Sequence, residues 1–369
     1  MRVPRVSREQ ALVSLVAVVP VAPPSLAKIA ARVEQRLRIL IDAEQARWSQ
    51  LDEMLVDPYA AIRNLVVAGG KRLRPAFCHW GYVGAGGDPD DQMIVDAGAA
   101  LELLHAFALF HDDVMDGSAT RRGEPTVHTV HEARHGGNWA GEARRYGEGV
   151  AILVGDLTFV YADQLMRAAP LEAWDIWNEL RIELNIGQYL DIVGSARGER
   201  RWDKAEQICR YKSGKYTIER PLQLGALLAA PQRANDLLDR LSAYGLPLGD
   251  AFQMRDDVLG VFGDTAITGK PVADDLREGK PTPLMALATS AASAAQLAVL
   301  DRVGATDMTD SEVADVQQVI IDTGALARLE AHITTLTDTA IAALADLPIT
   351  AEACDELRQL ASYVSWRDI

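Results

Sequence analysis

Cysteine is scarce in this sequence. Only Cys78, Cys209 and Cys354 occur among 369 residues, and no two of them form a CxxC pair. Their odd number and wide spacing exclude a disulfide framework and a thiolate-rich zinc site. Buried reduced thiols are the expected state, and this expectation fits a cytoplasmic location.

Basic residues are also in deficit. Lys and Arg number 37 against 52 Asp and Glu, so the formal net charge is −15 and the isoelectric point is near 4.9. Phosphate contacts to a nucleic acid need a basic surface, so this composition argues against a nucleic-acid-binding protein. A bound anion therefore has to be held by a local group of basic side chains or by metal ions.

The chain has almost none of the alternating Val, Ile and Thr pattern of strands, and no linker, repeat or low-complexity segment divides it. Ala, Leu, Glu, Gln and Arg dominate, and apolar residues recur every three or four positions. We therefore predict an all-α fold, a single large helical bundle with its ligand site between central helices. The predicted helices include 26–55, 92–116, 172–197, 203–230, 233–262, 281–303, 310–345 and 350–364. Residues 117–150 are expected to form a long loop at one end of the bundle.

The first 25 residues differ from the rest of the chain. A basic start followed by an apolar run is typical of a signal peptide. Pro20, Pro23 and Pro24 interrupt this run, which is too short and broken for a transmembrane helix. We predict that residues 1–25 form a poorly ordered or peripheral extension and that 26–369 form one domain. A cleaved signal is the less favoured alternative.

Three aspartates end an apolar helical run in HDDVMD, residues 111–116. Asp112 and Asp116 lie about 40° apart on one helix face, one turn from each other, and Asp113 lies to their side. Such carboxylates repel each other unless water or a cation separates them, and hard oxygen ligands suit Mg²⁺. A solvated helix end is the alternative, but the apolar run before the motif favours a cleft. His105 lies two turns earlier, about 20° from the same face, either as a core residue or as a phosphate contact.

A second acidic pair, Asp256 and Asp257, also ends an apolar helical run, in FQMRDD. Gln253 precedes Asp256 by three positions, so the two side chains can share a helix face. Gly260 stands where the first motif has its last aspartate, so the second motif has lost one carboxylate. Asp264, one turn further on, is expected to replace it partly through water.

Basic residues gather in four places along the chain. In GGKRLRP, Lys71, Arg72 and Arg74 follow two glycines that allow the backbone close to a ligand. This segment is not a Walker A loop, because the Gly-Lys-Ser/Thr element is missing. The other three groups are Arg121 with Arg122, Lys212 with Lys215, and Lys270 with Lys280. A solvated surface explains each group alone, but with two acidic pairs they indicate a site for two diphosphates joined by Mg²⁺.

In this order, GGKRLRP, LLHAFALFHDDVMD with RRG, KS, FQMRDD and GKPVADDLREGK resemble the motifs of trans-isoprenyl diphosphate synthases, of the polyprenyl synthetase family, over roughly residues 50–365. The resemblance implies a homodimer that condenses isopentenyl diphosphate with dimethylallyl, geranyl or farnesyl diphosphate. It implies Mg²⁺ ligands at Asp112, Asp116 and Asp256, supported by Asp113 and Asp257.

The same resemblance implies which residues hold each substrate. Isopentenyl diphosphate is expected at Lys71, Arg74, His105 and Arg122. The allylic diphosphate is expected at Arg121, Lys212, Ser213, Gln253 and Lys270, and Lys280 is a further substrate contact. Ser213 stands where the family often has Thr, and it keeps the hydroxyl.

By the same resemblance, product length depends on the residues four and five positions before the first aspartate, Ala108 and Phe107. In the family they form a floor for the growing chain, and an aromatic residue at the fifth position is typical of the archaeal and actinobacterial geranylgeranyl type. A C20 product is therefore expected, with C15 farnesyl diphosphate as the alternative. Helix geometry leaves this open, because Phe107 lies about 140° around the helix from Asp112.

Two other classes of protein share part of this pattern. A terpene cyclase has the DDxxD motif but little use for GGKRLRP or RRG. A non-catalytic subunit of a heteromeric synthase keeps the fold and loses the metal chemistry, whereas both acidic pairs and every basic group persist here. Neither class is favoured.

Overall fold

The computed structural model describes residues 20–263 and 273–366, and these are helical almost throughout, which confirms the predicted all-α fold. The helices are α1 Pro24–Trp48, α2 Val56–Val67, α3 Leu73–Gly84, α4 Gln92–Asp116, α5 Val127–Arg134, α6 Ala143–Met166, α7 Leu171–Ala196, α8 Trp202–Ile208, α9 Arg220–Ala229, α10 Ala234–Phe262, α11 Asp274–Arg277, α12 Pro283–Ala291, α13 Ala294–Leu300, α14 Asp310–Asp322, α15 Ala325–Ala343 and α16 Ala351–Ser365. A π-helical stretch, Cys209–Glu219, joins α8 to α9. Among the described residues, the one sheet is a hairpin of β1 Thr120–Arg121 and β2 Glu124–Pro125.

Helix α4 occupies the centre of the bundle and carries the first acidic motif at its end. Its Asp91 cap accepts a hydrogen bond from the Met93 amide at 2.9 Å, and Gly117 ends it with a φ of +66°. Leu101 and Leu104 are fully buried, as expected for a helix that is apolar on nearly every side. The helix therefore brings Asp112, Asp113 and Asp116 from the core to one end of the bundle.

The prediction that 117–150 forms one long loop is wrong. This segment contains the hairpin, all of α5 and the start of α6. His128 and His131 are buried in α5, and a Cβ atom on Gly147 of α6 would lie 2.2 Å from the His128 carbonyl oxygen. The absence of a side chain at Gly147 therefore allows these two helices to pack closely.

Two of the predicted helices are each divided in two, and a third, 26–55, ends at Trp48, ahead of a separate 3-10 turn at Glu53–Leu55. Residues 281–303 form two helices, α12 and α13, because a capping box at Ser293 begins α13. In this capping box the Ser293 side chain accepts a hydrogen bond from the Gln296 backbone amide, and the Gln296 side chain accepts one from the Ser293 backbone amide. Residues 310–345 form α14 and α15, separated at Gly324, which has a φ of +73°. Local capping chemistry therefore interrupts an apolar pattern that continues across both breaks.

The π-helical stretch Cys209–Glu219 packs against α7. A Cβ atom on Gly187 would lie 2.2 Å from the Lys212 backbone nitrogen, so α7 comes this close only because residue 187 is glycine. Widened turns of this kind are frequent at functional sites. The stretch holds Lys212 and Ser213 near the end of α4.

Helices α4 and α6 are long and apolar enough to cross a membrane, judged by length and composition alone. The most apolar part of α4 is 61% buried inside the protein, and that of α6 is 44% buried. The apolar character of α4 is accounted for by its central position, whereas α6 leaves part of its apolar surface exposed.

Candidate active site

A cavity of about 520 Å³ lies where α4 ends, between α3, α4, the helical segment that contains Lys212, and α10. The predicted site residues that line it are Lys71, Arg74, His105, Asp112, Arg121, Arg122, Lys212, Ser213, Gln253, Asp256, Asp257 and Lys280. Two residues singled out in the sequence, Asp264 and Lys270, lie outside the described residues. The fold thus gathers Asp112, the second acidic pair and most of the basic groups around one space, whereas Asp113 and Asp116 do not line it.

Asp112 faces the cavity and contacts groups from three other segments. Its Oδ1 accepts hydrogen bonds from Lys212 Nζ at 3.2 Å and Gln188 Nε2 at 3.0 Å, and its Oδ2 accepts one from Arg121 Nη2 at 3.4 Å. Burial raises the pKa of Asp112, but the charges of Lys212, Lys280 and Arg121 outweigh burial and hold the pKa below its usual value. Asp112 is therefore an anion at neutral pH.

Asp113 points to the side of the helix, as the sequence predicts. It is buried, and its Oδ1 accepts a hydrogen bond from Arg121 Nε at 2.7 Å. Burial raises its pKa, although the hydrogen bond from Arg121 opposes the effect. Asp113 does not line the cavity, and its contact instead holds the Arg121 guanidinium next to Asp112.

Asp116 contacts a lysine that links the first acidic motif to the segment after residue 273. Lys280 Nζ lies 3.7 Å from Asp116 Oδ2, 3.5 Å from Asp275 Oδ1 and 2.5 Å from Glu278 Oε2. Burial and the negative charge of Asp112 raise the pKa of Asp116 to about 6. Lys280 therefore partly neutralises the carboxylates around it.

The second acidic pair lies on the α10 wall of the cavity. Asp257 is buried, whereas Asp256 is partly exposed. Gln253 Nε2 donates a hydrogen bond to Asp257 Oδ1 at 2.9 Å. Burial and the negative charge of Asp275 raise the pKa of Asp257 well above its usual value.

The part of the cavity next to α3 holds buried polar groups. Arg74 Nη2 donates a hydrogen bond to Thr217 Oγ1 at 3.0 Å, and its guanidinium lies 4.2 Å from the Tyr216 ring centroid. Within the described residues, Arg74 Nε and His105 Nδ1 are buried without a hydrogen-bond partner. Burial and the charges of Arg74 and Arg122 lower the pKa of His105, so the ring is neutral. Unpaired buried polar atoms are rare, and their position here favours an anionic ligand.

The adjacent arginines of the hairpin point to different parts of the cavity. Arg122 and Gly123 have φ values of +54° and +79°, as in a two-residue hairpin turn with positive φ at both positions. Arg121 pairs with the first acidic motif, whereas Arg122 Nη1 donates a hydrogen bond to the Gly69 carbonyl oxygen at 2.9 Å. The turn therefore places the positive charge of Arg121 next to HDDVMD and that of Arg122 next to GGKRLRP.

Two basic residues of the predicted groups are paired with carboxylates inside the protein. Arg72 forms a buried ion pair with Glu102. Lys215 Nζ lies 2.5 Å from Glu183 Oε1 and does not line the cavity. Arg72 and Glu102 both line the cavity. Because Arg72 and Lys215 are each paired with a carboxylate, the basic groups supply less net positive charge to a ligand than the sequence indicates.

Helix α7 supplies two polar residues that sequence reasoning missed. Asp191 Oδ2 accepts a hydrogen bond from Lys212 Nζ at 2.6 Å, and Gln188 binds Asp112 as described above. They lie three positions apart in NIGQYLDIVG, a mostly apolar part of α7. A polar pair at helical spacing in such a segment is the signal that could have identified them.

Phe107 and Ala108, the residues predicted to limit product length, do not line the charged cavity. The Phe107 ring is half-buried between α4 and α6, with its centroid 4.8 Å from that of Phe159 and 4.6 Å from that of His111. Leu109 is the apolar α4 residue at the cavity wall. Phe107 therefore lies at the interface between two helices.

The donor set fits Mg²⁺ shared with a phosphorylated ligand. No three His, Cys, Asp or Glu side chains in the described ranges lie close enough to enclose a metal ion by themselves. Mg²⁺ is usually held by one or two carboxylates, several waters and phosphate oxygens rather than by an all-protein cage. Asp112 and Asp256, on α4 and α10, are the cavity-lining carboxylates best suited to this arrangement.

Comparisons with known proteins identify the class of protein to which this helical fold belongs. The polyprenyl synthetase family model matches residues 58–321. A geranylfarnesyl diphosphate synthase from Aeropyrum pernix is 30% identical over 331 residues, 85% of this chain and 96% of that protein. A (2E,6E)-farnesyl diphosphate synthase from Mycobacterium bovis is 32% identical over 310 residues, 80% of this chain and 79% of that protein.

A solved structure is also similar along nearly the whole chain. The geranylgeranyl pyrophosphate synthase from Corynebacterium glutamicum, complexed with isoprenyl diphosphate and magnesium, aligns with a TM-score of 0.86 and 38% identity, over 92% of this chain and 99% of that one. This chain belongs to the polyprenyl synthetase family and is a prenyltransferase. The family resemblance drawn from its motifs is confirmed.

Proposed function

We propose that this enzyme condenses isopentenyl diphosphate with an allylic diphosphate, in a Mg²⁺-dependent reaction, to give geranylgeranyl diphosphate, a C20 product. The observation that carries the proposal is a cavity lined by Asp112 of the first acidic motif, by Asp256 and Asp257 of the second, and by basic side chains from four segments. Two diphosphates and their bridging metal ions need these two kinds of group side by side. Farnesyl diphosphate is the alternative product.

The acidic motifs are proposed to hold the metal ions. Asp112 and Asp116 bind from α4 and Asp256 from α10, while Asp113 and Asp257 support them. Mg²⁺ bound there neutralises charge on the departing diphosphate. The hydrogen bonds from Lys212 and Gln188 support this role, because they keep the Asp112 carboxylate directed at the cavity.

The basic residues are proposed to divide between the two substrates. Arg121, Lys212, Ser213, Gln253, Lys270 and Lys280 bind the allylic diphosphate, and Lys71, Arg74, His105 and Arg122 bind isopentenyl diphosphate. The opposite directions of Arg121 and Arg122 support this division. A neutral His105 contributes a hydrogen bond rather than a charge to its ligand.

The proposed reaction needs no side-chain nucleophile. The allylic carbon–oxygen bond breaks, and the electron pair leaves with the diphosphate, where positive side chains stabilise it. The isopentenyl double bond then attacks the allylic carbon, and the proton lost from the adduct passes to the released diphosphate. Apolar walls such as Leu109 and Phe252 keep water from the reacting carbons.

A product assay tests the function. The protein is incubated with Mg²⁺, isopentenyl diphosphate and dimethylallyl, geranyl or farnesyl diphosphate, and the products are separated by chain length. A C20 diphosphate is expected. A C15 end product would show that the enzyme is a farnesyl diphosphate synthase, so the proposed activity would stand and the proposed chain length would be wrong. A cyclic hydrocarbon would indicate a terpene cyclase. No turnover would indicate a non-catalytic subunit.

Chain length is expected to depend on the Phe107–Phe159 contact. If these rings close the path of the growing chain between α4 and α6, Phe107→Ala opens that path and gives products longer than C20. Phe159→Ala should lengthen the product as well, because the two ring centroids lie 4.8 Å apart. Leu109→Ala, at the charged cavity, is the control and should keep the wild-type product. An unchanged product from both phenylalanine variants would exclude these rings as the floor.

A homodimer is proposed on the basis of an exposed apolar face on α6 and α7. Its side chains are Ile152, Leu153, Val160, Ile182, Ile186, Tyr189 and Ile192. Exposed apolar groups on adjacent helices are typical of interfaces between subunits. Sedimentation equilibrium should give twice the 40.1-kDa chain mass, and a monomer at micromolar concentration would contradict the proposal.

A cytoplasmic location is proposed as well. Cys78, Cys209 and Cys354 are all unpaired, and burial raises the pKa of each thiol. Inert reduced thiols suit a reducing compartment.

A further inference from the structure

The side chain of Arg181, on α7, is largely covered and lies among three aromatic rings. It is 13% exposed. Its guanidinium carbon lies 5.2 Å from the ring centroid of Phe159, 5.3 Å from that of Trp177 and 5.8 Å from that of Trp174. A guanidinium is attracted to the face of an aromatic ring within about 6 Å of its centroid. Because a covered charge is costly unless it is paired, this position also requires hydrogen-bonding partners.

Each nitrogen of the Arg181 guanidinium has such a partner. Nη1 donates a hydrogen bond to Asp163 Oδ1 at 2.5 Å, Nε donates one to the Trp177 carbonyl oxygen at 3.3 Å, and Nη2 donates one to the Asn178 side chain. Asp163 Oδ1 also accepts a hydrogen bond from Nε1 of the fully buried Trp177 at 2.7 Å. Asp163 belongs to α6, and the other two partners belong to α7. The orientation of the guanidinium is therefore fixed from both helices.

Phe159 is the ring of this group that also contacts Phe107, with 4.8 Å between the two centroids. It precedes Asp163 by four positions on α6, so the two side chains share a face of that helix. Unlike Trp177, Phe159 has no polar atom that could fix its ring by a hydrogen bond, and it is only half-buried. Packing against its neighbours alone determines where this ring lies, and the Arg181 guanidinium is one of these neighbours.

We propose that Arg181 is a positioning residue for product length, because it holds the Phe159 ring against Phe107 and so keeps the path between α4 and α6 closed. The proposal rests on the proposed function, in which these two rings stop the growing chain. Arg181 does not line the charged cavity. Its loss is therefore expected to change where chain growth ends and to leave the binding of both diphosphates unchanged.

The variant Arg181→Met tests the proposal, because it removes the charge and keeps an unbranched side chain. The protein is incubated with Mg²⁺, isopentenyl diphosphate and farnesyl diphosphate, and the products are separated by chain length. Loss of a covered cation–π contact changes the population of the ring position that it favours by about tenfold. The share of product longer than the wild-type end product is expected to rise by a similar factor, while KM for both diphosphates stays near the wild-type value. An ion pair that only joined α6 to α7 would leave product length unchanged.

A double variant shows whether Arg181 acts through the Phe159 ring. Phe159→Ala alone is expected to lengthen the product, and no ring is then left for Arg181 to hold. Arg181→Met/Phe159→Ala should therefore give the same products as Phe159→Ala, as expected for two residues that share one effect. Arg36→Met is the matched control, because Arg36 pairs with Asp96 at 2.6 Å between α1 and α4 and contacts neither phenylalanine. It should keep the wild-type product.

The state of each variant is checked separately from its products. Circular dichroism melting checks folding, and sedimentation equilibrium checks assembly, because Ile182 beside Arg181 belongs to the exposed apolar face of α6 and α7. Arg181→Gln is a second variant that removes the charge and keeps an amide able to donate to Asp163. Wild-type product length in whichever of the two variants is folded would overturn the proposal. A double variant whose products are longer than those of Phe159→Ala would overturn it as well.

The phenylalanine variants keep this inference distinct from the proposed function. A wild-type protein that forms no prenyl diphosphate rejects the proposed function, and the role of Arg181 with it. Unchanged products from both Phe107→Ala and Phe159→Ala reject the two rings as the floor, and again Arg181 with them. Longer products from these two variants, together with wild-type products from Arg181→Met, reject Arg181 alone.

Discussion

Asp112→Asn is expected to lower kcat/KM for the condensation by about a thousandfold or more. The substitution keeps the shape of the side chain and removes the negative charge that we propose to bind Mg²⁺. Loss of one preorganised electrostatic contact to a transition state already costs about a hundredfold to a thousandfold, and loss of metal binding adds to it. Steady-state kinetics with saturating isopentenyl diphosphate measure the effect.

The Asp112 variant should remain folded. Lys212 keeps its contact with Asp191 at 2.6 Å, so the substitution leaves no lysine without a carboxylate partner. Asp96→Asn is the matched control, because Asp96 lies on the same helix and pairs with Arg36 at 2.6 Å, remote from the cavity residues. Asp96→Asn should keep near wild-type activity. More than about a tenth of wild-type activity in Asp112→Asn would rule out an essential metal ligand at this position.

Local sequence signals predicted the parts of the site that lie on one helix. The bounds of α4 follow from the Asp91 cap and Gly117, and the periodicity places Asp112 on the face that meets the cavity. Asp113 was correctly placed to the side of that face. A 3.6-residue period is sufficient for such statements, because they concern neighbours within a single helix.

Contacts between distant segments could not be read in the same way. Gly147 is typical of a loop, yet its lack of a side chain serves the packing of α6 on α5. Gly260 indicates a lost carboxylate, yet only the folded chain brings Asp275 against it. The pairing of Lys212 with Asp191 likewise depends on the close approach of α7 at Gly187. Each of these three contacts joins two segments that are separate in the sequence, so the sequence of either segment alone does not predict it.

The adjacent residues Arg121 and Arg122 are expected to affect different substrates. Arg122→Met should raise the KM for isopentenyl diphosphate by about thirtyfold and leave the KM for the allylic substrate nearly unchanged. Arg121→Met should raise the allylic KM by a similar factor and also lower kcat. The size follows from the loss of one charge-assisted hydrogen bond, about 2 kcal/mol, or about thirtyfold in affinity.

The two arginine variants serve as controls for each other, because they remove the same charge from neighbouring positions of one hairpin. Initial rates measured while each substrate is varied separately give the two KM values. Arg121 is paired with two carboxylates, Asp112 and Asp113. Its loss therefore also changes the charge balance of the first acidic motif, and this change lowers kcat. Arg122 has the Gly69 carbonyl as its partner, so its loss is confined to binding. Parallel changes in both KM values for both variants would mean that the hairpin arginines share one diphosphate, and the proposed division between two substrate positions would then be wrong.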